Sequence, residues 1–386
     1  MTNDIDHISK KKFMEELRRY QKGSVSRRHF LGVTGLGTAA AVMGTAIPGL
    51  RPGRAFADSH IGDRVVLATW PNYHDPANFE AFTDATGAAV QVNVFGSNEE
   101  MLAKLQAGGS GWDVFVPTNY TITTYVSEDL IEPLDVAMLP NYDADAFDPR
   151  FADAGTVDGT LYAVPKNWGT TGFAVNTSHD GGTPLTTWKD FFDRTRDDFS
   201  GRTMVHDYQL TTIGNALKYF GYSFNSVDEA ELADAERLLI DVKPHLFAIS
   251  SDYQPAMRSG DAWLTMCWTG DGKQLNTDMP EIAYVLGAEG GEIWSDYYAI
   301  PKGAPHRDAA YALINHMLDP AVNAKEVMAH GYPVADANTN ALLPEEILKD
   351  PILYPAQELL DALEFGAAAT LTDPNRAELL ARFKSA

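Results

Sequence analysis

Residues 64–120 read RVVLATWPNYHDPANFEAFTDATGAAVQVNVFGSNEEMLAKLQAGGSGWDVFVPTNY, and this stretch decides the fold. Its apolar runs predict three strands, over residues 64–70, 90–95 and 112–116. Two helices are predicted between them: one over residues 76–86, ended by Gly87, and one opened by a capping box at residues 97–100. Such elements form a βαβαβ unit, in which ligands gather where the strands end. The residues at those ends are Trp70, Tyr73, Phe95, Ser97, Thr118, Asn119 and Tyr120.

The rest of the chain continues to alternate short apolar runs with amphipathic segments, which predicts an α/β fold. A strand-like crossing is expected over residues 162–175, with Gly169 and Gly172 inside it. A second capping box is predicted at Ser226 and Glu229. The remaining predicted segments are 188–194, 202–206, 212–220 and 226–241, buried strands at 262–268 and 294–300, and helices at 308–318, 321–330 and 355–365.

Length and charge restrict the class of protein. A chain of 386 residues exceeds one ordinary core and fits two lobes. It has 30 Lys and Arg against 53 Asp and Glu, a formal charge of -23. This balance argues against nucleic acid as a partner, because binding it needs a basic face. A solvated acidic surface would give the same charge, so charge alone does not identify a cationic ligand.

The first 57 residues predict an export signal. Ser26-Arg27-Arg28-His29-Phe30-Leu31 is a twin-arginine motif, followed by a mildly apolar stretch over residues 30–47. Ala55-Phe56-Ala57 fits a small-x-small site, which predicts cleavage after Ala57. A membrane anchor is the alternative, but the stretch is only marginally long enough to span and contains four glycines.

Signatures of catalysis are missing from the sequence. It has no G-x-S-x-G, H-E-x-x-H or P-loop motif and no G-x-G-x-x-G after a strand, and its ten histidines are scattered. The one cysteine, Cys267, lies in the apolar run 262–268, which favours a buried core residue over a nucleophile. Only the abundance of carboxylates supports a secreted enzyme, so we expect neither catalysis nor a cofactor.

Two aromatic–acid couplets stand late in the chain, at Trp268-Thr269-Gly270-Asp271 and at Trp294-Ser295-Asp296. Each places an indole, whose ring face attracts cations, within a few residues of a carboxylate. Together such side chains suit an organic ammonium group, since the rings cover its methylenes and the acids take its charge. A buried Trp beside a solvated Asp is the alternative interpretation of either couplet.

Adjacent tyrosines, Tyr297 and Tyr298, follow the second couplet. Phenolate is a hard anionic ligand, and such a pair binds ferric iron in some exported binding proteins, so a ferric-ion-binding protein is the alternative function. Neighbouring residues of a strand point to opposite faces, however, which favours one tyrosine inward and one outward.

Several motifs in a fixed order carry a family resemblance. They are the segments 65–73, 97–105, 112–120 and 163–170, the two couplets, Ala299-Ile300-Pro301 and Gly331-Tyr332-Pro333. Over residues 64–366 the chain resembles the periplasmic spermidine/putrescine-binding proteins of ABC importers. The resemblance implies a type II periplasmic-binding-protein fold, with two α/β lobes joined by crossing strands around a ligand cleft.

The resemblance also implies an organisation and a set of partners. The expected parts are a signal peptide at 1–57, lobe 1 at 58–168 plus 295–340, and lobe 2 at 169–294 plus 341–386. The protein would be a periplasmic monomer that delivers a small cationic amine to an ABC permease at the inner membrane.

Site residues follow from the same resemblance. By role they are an aromatic box of Trp70, Tyr73, Trp268 and Trp294, hydroxyl contacts from Thr118 and Tyr120, and ammonium acceptors Asp271 and Asp296. Asp271 resembles the putrescine-preferring branch, since spermidine binders tend to carry serine there.

The chain departs from the family after residues 202–206, where two acids usually anchor one end of the amine. Tyr208 and Thr211 occupy those positions, Asp207 lies one residue away as a substitute, and Gly366 replaces an expected glutamine. A buried ammonium without a carboxylate is costly. The ligand class therefore stays open between a polyamine and a compound with one cationic end, such as an amino acid derivative, an opine or a quaternary ammonium compound.

Overall fold

The computed structural model describes residues 61–386; the predicted twin-arginine motif and cleavage site lie outside the described residues. Its strands are β1 Arg64–Thr69, β2 Ala89–Val94, β3 Val114–Phe115, β4 Thr156–Val157, β5 Thr160–Leu161, β6 Ala163–Asn176, β7 Thr203–Val205, β8 Leu246–Ile249, β9 Leu264–Trp268, β10 Ile282–Val285, β11 Gly291–Ala299 and β12 Leu363–Phe365.

The helices follow in chain order. They are α1 Pro76–Thr86, α2 Asn98–Gln106, α3 Ile122–Ser127, α4 Pro149–Ala152, α5 Trp188–Arg196, α6 Gln209–Tyr219, α7 Glu229–Val242, α8 Gln254–Ser259, α9 Thr269–Asp278, α10 Arg307–Met317, α11 Pro320–His330, α12 Ala337–Asn340, α13 Glu345–Leu348, α14 Gln357–Asp361, α15 Ala368–Thr372 and α16 Pro374–Ser385. Within residues 61–386 no helix combines the length and the apolar character that crossing a membrane requires.

Two long strands organise the sheet, whose order is β2-β1-β3-β11-β6-β9-β7-β8. Strands β6 and β11 pair antiparallel along most of their length. One end of the pair meets β3, at Ala299 and Phe115, and the other end of β6 pairs with β9 and β10. The crossing strand predicted over residues 162–175 is therefore confirmed, and so is the α/β class.

Separate apolar cores lie on the two wings of this sheet. One packs β1 and β3 against α1 and α10, with Val65, Leu67 and Phe82 in its centre. Another packs β6 and β7 against α5, α6 and α7, around Phe173 and Trp188. This arrangement agrees with the expected two-lobe fold, while the boundaries of the lobes stay a prediction. Cys267 is buried among apolar side chains, as its apolar run predicts.

Local signals explain where the first helices begin and end. Asp75 caps α1 by accepting from Ala77 N–H, and Gly87 ends it with φ of 81°, a left-handed conformation that suits glycine. Ser97 caps α2 by accepting from Glu100 N–H. The carboxylate of Glu100 reaches back to the N–H of Gly96 rather than Ser97, so the predicted box closes one residue earlier.

Two sequence predictions are wrong in detail. The N-cap of α7 is Asp228, which accepts from the next helical N–H groups, while Ser226 accepts from Asp228 N–H as part of the preceding turn. Residues 355–365 form no continuous helix: α14 is short, and β12 follows it and pairs parallel with β11. Strand pairing prevails there because Leu363 and Phe365 pack with Ile293 of β11.

A buried polar network lies behind the turn that follows β1. His74 Nδ1–H donates to Glu326 over 2.9 Å, and His74 Nε2 accepts from the Thr69 hydroxyl at 3.0 Å, as a neutral imidazole can. The same carboxylate accepts from Asn78 Nδ2 at 2.7 Å. Burial acts to raise the pKa of Glu326, but the hydrogen bond from His74 and the charge of Lys166 lower it to about 2.

We expect Glu326→Gln to lower the free energy of unfolding by about 2–4 kcal/mol at pH 6, because it leaves Lys166 and His74 without their buried anion. The folded pKa of Glu326 lies below its unfolded value, so its contribution is present above the unfolded pKa and is lost as the pH falls. The difference from wild type should therefore shrink between pH 6 and pH 3 in urea unfolding. Glu345→Gln, at an exposed ion pair with Lys349, is the control and should change stability by less than about 0.5 kcal/mol. Equal losses in both variants would contradict the network's role.

Gly169→Ala should destabilise the fold through Trp294, its partner across β6 and β11. A Cβ at position 169 would lie 2.5 Å from the indole, so the ring or the strand must move. Overpacking of this kind costs about 1–3 kcal/mol, measurable as a lower urea midpoint. Gly96→Ala is the matched control, because its Cβ would meet only the flexible Glu100 carboxylate, at 3.6 Å. Indistinguishable midpoints would show that the indole does not need this close approach.

Candidate ligand-binding site

A cavity of about 810 Å³ opens at the carboxyl ends of β1, β2, β3, β7, β8 and β9. Alternate side chains of β11 complete its wall. This is the edge of the sheet at which the βαβαβ pattern predicts ligand binding.

The lining is aromatic and acidic. Its aromatic members are Trp70, Tyr73, Tyr120, Tyr208, Tyr253, Trp268, Trp294 and Tyr332. Its carboxylates are Asp207, Asp252, Asp271, Glu292 and Asp296. Among the described residues that line the cavity, Arg258 is the one cationic side chain; it is exposed and donates to Asp278 over 2.7 Å. The cavity thus combines ring faces with an excess of negative charge, which suits an organic cation.

Most of the residues predicted for the site meet in this cavity. Those that line it are Trp70, Tyr73, Thr118, Tyr120, Asp207, Tyr208, Trp268, Asp271, Trp294 and Asp296. Thr211 is not among them: it is fully buried in α6, and its hydroxyl lies 3.4 Å from a carboxylate oxygen of Glu292. Thr211 therefore lies behind the lining and acts on the cavity only through Glu292.

Asp296 is the most constrained carboxylate of the lining. The Tyr73 hydroxyl lies 2.7 Å from both Asp296 Oδ2 and the Asn167 side-chain amide. Its single proton goes to Asp296, and an Asn167 amide turned the other way donates to the Tyr73 oxygen. Burial raises the pKa of Asp296 to about 6, against the lowering effect of hydrogen bonds from Tyr73 and Thr118 and of the Lys166 charge.

Lys166 approaches Asp296 from outside the lining. The register of β6 and β11 slips after Asp296, and Lys166 is the extra residue of this bulge. Its Nζ lies 4.0 Å from the centre of the Tyr73 ring and has no hydrogen-bond acceptor in the described chain. Burial lowers the pKa of Lys166 to about 8, although Glu326 and Asp296 oppose the shift. Near neutral pH the ammonium therefore offsets part of the Asp296 charge.

An aromatic wall stands on the opposite wing of the sheet. Trp268, at the end of β9, donates its indole N–H to the hydroxyl of Tyr208 over 3.1 Å. The His206 ring packs against both, with centroids 4.7 Å from Trp268 and 5.4 Å from Tyr208. Burial lowers the pKa of His206 to about 3, so it packs as a neutral ring. The Trp268 indole is thereby held in place before any ligand binds.

The predicted hydroxyl pair is also held in position. Asn98 Nδ2 lies 3.1 Å from the Thr118 hydroxyl and 2.9 Å from the Tyr120 hydroxyl, and donates to both. Burial raises the pKa of Tyr120 well above its usual value, so the phenol stays neutral. Both oxygens keep their own protons for donation to a ligand or a neighbouring carboxylate.

Two further predicted acids lie nearer to solvent. Asp207 is half-buried and accepts from the Ser251 hydroxyl over 2.6 Å. Asp271 is half-buried in the first turn of α9, where the helix dipole favours a negative charge. Burial raises the pKa of Asp271, partly offset by hydrogen bonds from Tyr253 and Gln254.

Glu292 is a cavity residue that sequence reasoning missed. It is 2% exposed and accepts from the Thr171 hydroxyl over 2.6 Å. Burial raises the pKa of Glu292 to about 7, and nearby Asp296 adds to the shift while hydroxyl hydrogen bonds oppose it. The missed signal is the period-two pattern Glu292-Trp294-Asp296, because the strand predicted to start at residue 294 begins at Gly291.

Neither of the adjacent tyrosines lines the cavity. Tyr297 is fully buried and donates to the carbonyl of Phe151, while Tyr298 packs in the core beside His74. They lie on opposite faces of β11 and neither belongs to the lining. This geometry does not favour a ferric site built from the pair.

Known proteins share this fold over most of the chain. Residues 77–355 match the family model described as bacterial extracellular solute-binding protein. The spermidine/putrescine-binding periplasmic protein 1 of Haemophilus influenzae is 31% identical over 310 residues, which are 79% of this chain and 84% of the relative. The spermidine/putrescine-binding periplasmic protein of Escherichia coli is 29% identical over 326 residues, 83% and 92% of the two chains.

A solved structure agrees with these matches. The spermidine/putrescine ABC transporter substrate-binding protein PotD from Streptococcus pneumoniae superposes with a TM-score of 0.69 at 28% identity, covering 84% of this chain and 99% of that one. The family model spans every lining residue of the cavity except those at positions 70–73, which follow β1. The chain therefore belongs to the family of bacterial extracellular solute-binding proteins.

Proposed function

We propose that this protein captures a polyamine of the putrescine/spermidine kind, or a closely related cationic amine, outside the cytoplasm and passes it to an ABC importer. The cavity carries the proposal: its described lining has five carboxylates, eight aromatic rings and one exposed arginine that is already engaged. The names of the relatives support the same ligand class. The family is one of binding proteins, and the proposal includes no catalytic step.

The lining favours an amine over the other candidate ligands. An opine or amino acid derivative needs a cation for its carboxylate, and the one cationic side chain of the described lining, Arg258, is exposed and already bound to Asp278. A quaternary ammonium ion would use the rings but has no N–H to donate to Asp296. The ferric alternative loses its support because Tyr297 and Tyr298 lie outside the lining. A primary ammonium group uses both kinds of surface.

The proposal extends to location and assembly. A periplasmic site of action is supported by the names of the relatives and by the twin-arginine motif at Arg27 and Arg28, with cleavage after Ala57. The protein would act as a monomer and meet the permease at the inner membrane. Its lobes would be residues 58–168 plus 295–340 and residues 169–294 plus 341–386, which agrees with the two cores beside β6 and β11.

Titration calorimetry with putrescine, cadaverine, spermidine and choline tests the ligand class. We expect binding of at least one of the first three amines. Asp296→Asn should weaken it about tenfold or more, since it removes a charge partner, and Tyr120→Phe by less than about threefold. Absence of heat from every amine would refute the proposed function. Equal losses in the two variants would argue against an ammonium group at Asp296.

Amine affinity should rise with pH. Burial raises the pKa of Asp296 to about 6 and that of Glu292 to about 7, and a cation prefers the ionised carboxylates. Raising the pH from 5.5 to 7.5 removes these protons, so putrescine affinity should increase about tenfold or more. The neighbouring groups change their protonation little over this range. Tyr120 and Tyr208 stay neutral because burial raises their pKa values, and the pKa of Lys166 is about 8. A flat profile, or proton uptake on binding in calorimetry at pH 6.5, would contradict this.

A further inference from the structure

Glu292 is a buried carboxylate without a cation. Its oxygen Oε2 accepts from the hydroxyls of Thr171 and Thr211, both of them neutral. Within residues 61–386 it forms no ion pair, and Lys218 of the neighbouring helix α6 is paired with Glu364 at 3.0 Å. Two hydroxyls hold the carboxylate in place without neutralising it, and burying an unpaired charge is unfavourable.

The direction of the side chain is set by the strand. Glu292, Trp294 and Asp296 alternate along β11, so all three point to the same face, and all three line the cavity. Glu292 and Asp296 are four residues apart, about 13 Å between their Cα atoms in an extended strand. Along that face of β11, Trp294 lies between the two acids.

The two carboxylates differ in what already neutralises them. Asp296 has Lys166 behind it and the Tyr73 hydroxyl beside it. Glu292 has no such cation. The other acids of the lining have less need of one. Asp207 is half-buried and Asp252 is exposed, so water solvates them, and Asp271 has hydrogen bonds from Tyr253 and Gln254 and the charge of Arg258 nearby. Glu292 is thus the position in the cavity at which a bound positive charge gains most.

We propose that Glu292 receives the second ammonium group of a ligand with two cationic ends, while Asp296 receives the first. The inference rests on the proposed function and narrows it, since a monoamine or a quaternary monocation leaves Glu292 without a partner. The aliphatic part of such a dication lies along the Trp294 ring, between the two acids. The specificity of the site for diamines and longer polyamines then follows from the two acids of β11.

The experiment compares putrescine with butylamine, which is putrescine without its second amino group, by titration calorimetry at pH 7.5. Wild type should bind putrescine about 10- to 100-fold more tightly than butylamine. Glu292→Gln keeps an oxygen for Thr171 and Thr211 but loses the charge, and should bring the two affinities to within about threefold. Asp207→Asn removes the same charge from another lining carboxylate and should narrow the ratio of the two affinities less than Glu292→Gln does. Asp296→Asn should weaken both amines alike.

An exchange variant guards against a purely structural effect. Glu292 and Thr211 touch across β11 and α6, so the double substitution Glu292→Thr with Thr211→Glu moves the carboxylate to the other side of one contact. Glu292→Thr alone should lose the preference for putrescine, and adding Thr211→Glu should recover at least part of it. Thermal unfolding of each variant checks that it is folded.

The outcomes separate the two proposals. If wild type binds neither amine, the proposed function fails, and the second ammonium site fails with it. If wild type prefers putrescine and Glu292→Gln keeps that preference, only the inference about Glu292 is overturned. Equal loss of preference in Glu292→Gln and Asp207→Asn would also overturn it, because the effect would then come from the overall negative field of the cavity.

Discussion

The antiparallel pairing of β6 with β11 is the interaction on which the rest of the structure depends. It joins the two wings of the sheet, and its register decides what faces the cavity. Opposite Trp294 the strand β6 has Gly169, and the indole occupies the space that a Cβ would fill. Asp296 pairs with Asn167, and next to this pair the bulge at Lys166 places an ammonium beside the Tyr73 ring. Packing and charge at the site are both consequences of this one pairing.

The two buried acids of β11, Asp296 and Glu292, differ in kind from the buried acid Glu326. A carboxylate in an apolar setting costs free energy unless it is paired, and burial raises the pKa values of Asp296 and Glu292. Neither acid contributes to stability in the way that Glu326 does, whose pKa is lowered to about 2 by its partners. The contrast separates a structural carboxylate from carboxylates that, in the proposed function, receive a cation. In the second kind, the ligand would replace protons or water as the missing partner.

The sequence was sufficient for much of this arrangement, and its failures have physical causes. The couplets at Trp268 and Trp294 do meet in one cavity, because each ends or occupies a strand that borders it. Glu292 was not predicted as a site residue because it lies at the start of β11. Strand boundaries depend on pairing partners that a local sequence pattern does not contain. Residues 363–365 illustrate the same limit, since their partner is also β11, about seventy residues earlier. Asp207, predicted as a substitute for the two acids that the family carries after residues 202–206, lines the cavity and accepts from the Ser251 hydroxyl.

A pair of acids on one strand has a consequence for selectivity. The lining draws Trp70, Tyr73 and Thr118 from one wing of the sheet, and Tyr208, Trp268 and Asp271 from the other. Distances between the wings change whenever a two-lobe protein opens or closes, whereas Glu292 and Asp296 are held about 13 Å apart at their Cα atoms by the extended backbone. If Glu292 and Asp296 both accept ammonium groups, as proposed, the strand measures the length of a dication independently of any movement between the wings. The aromatic rings of the two wings would then only need to cover a ligand that the strand has selected.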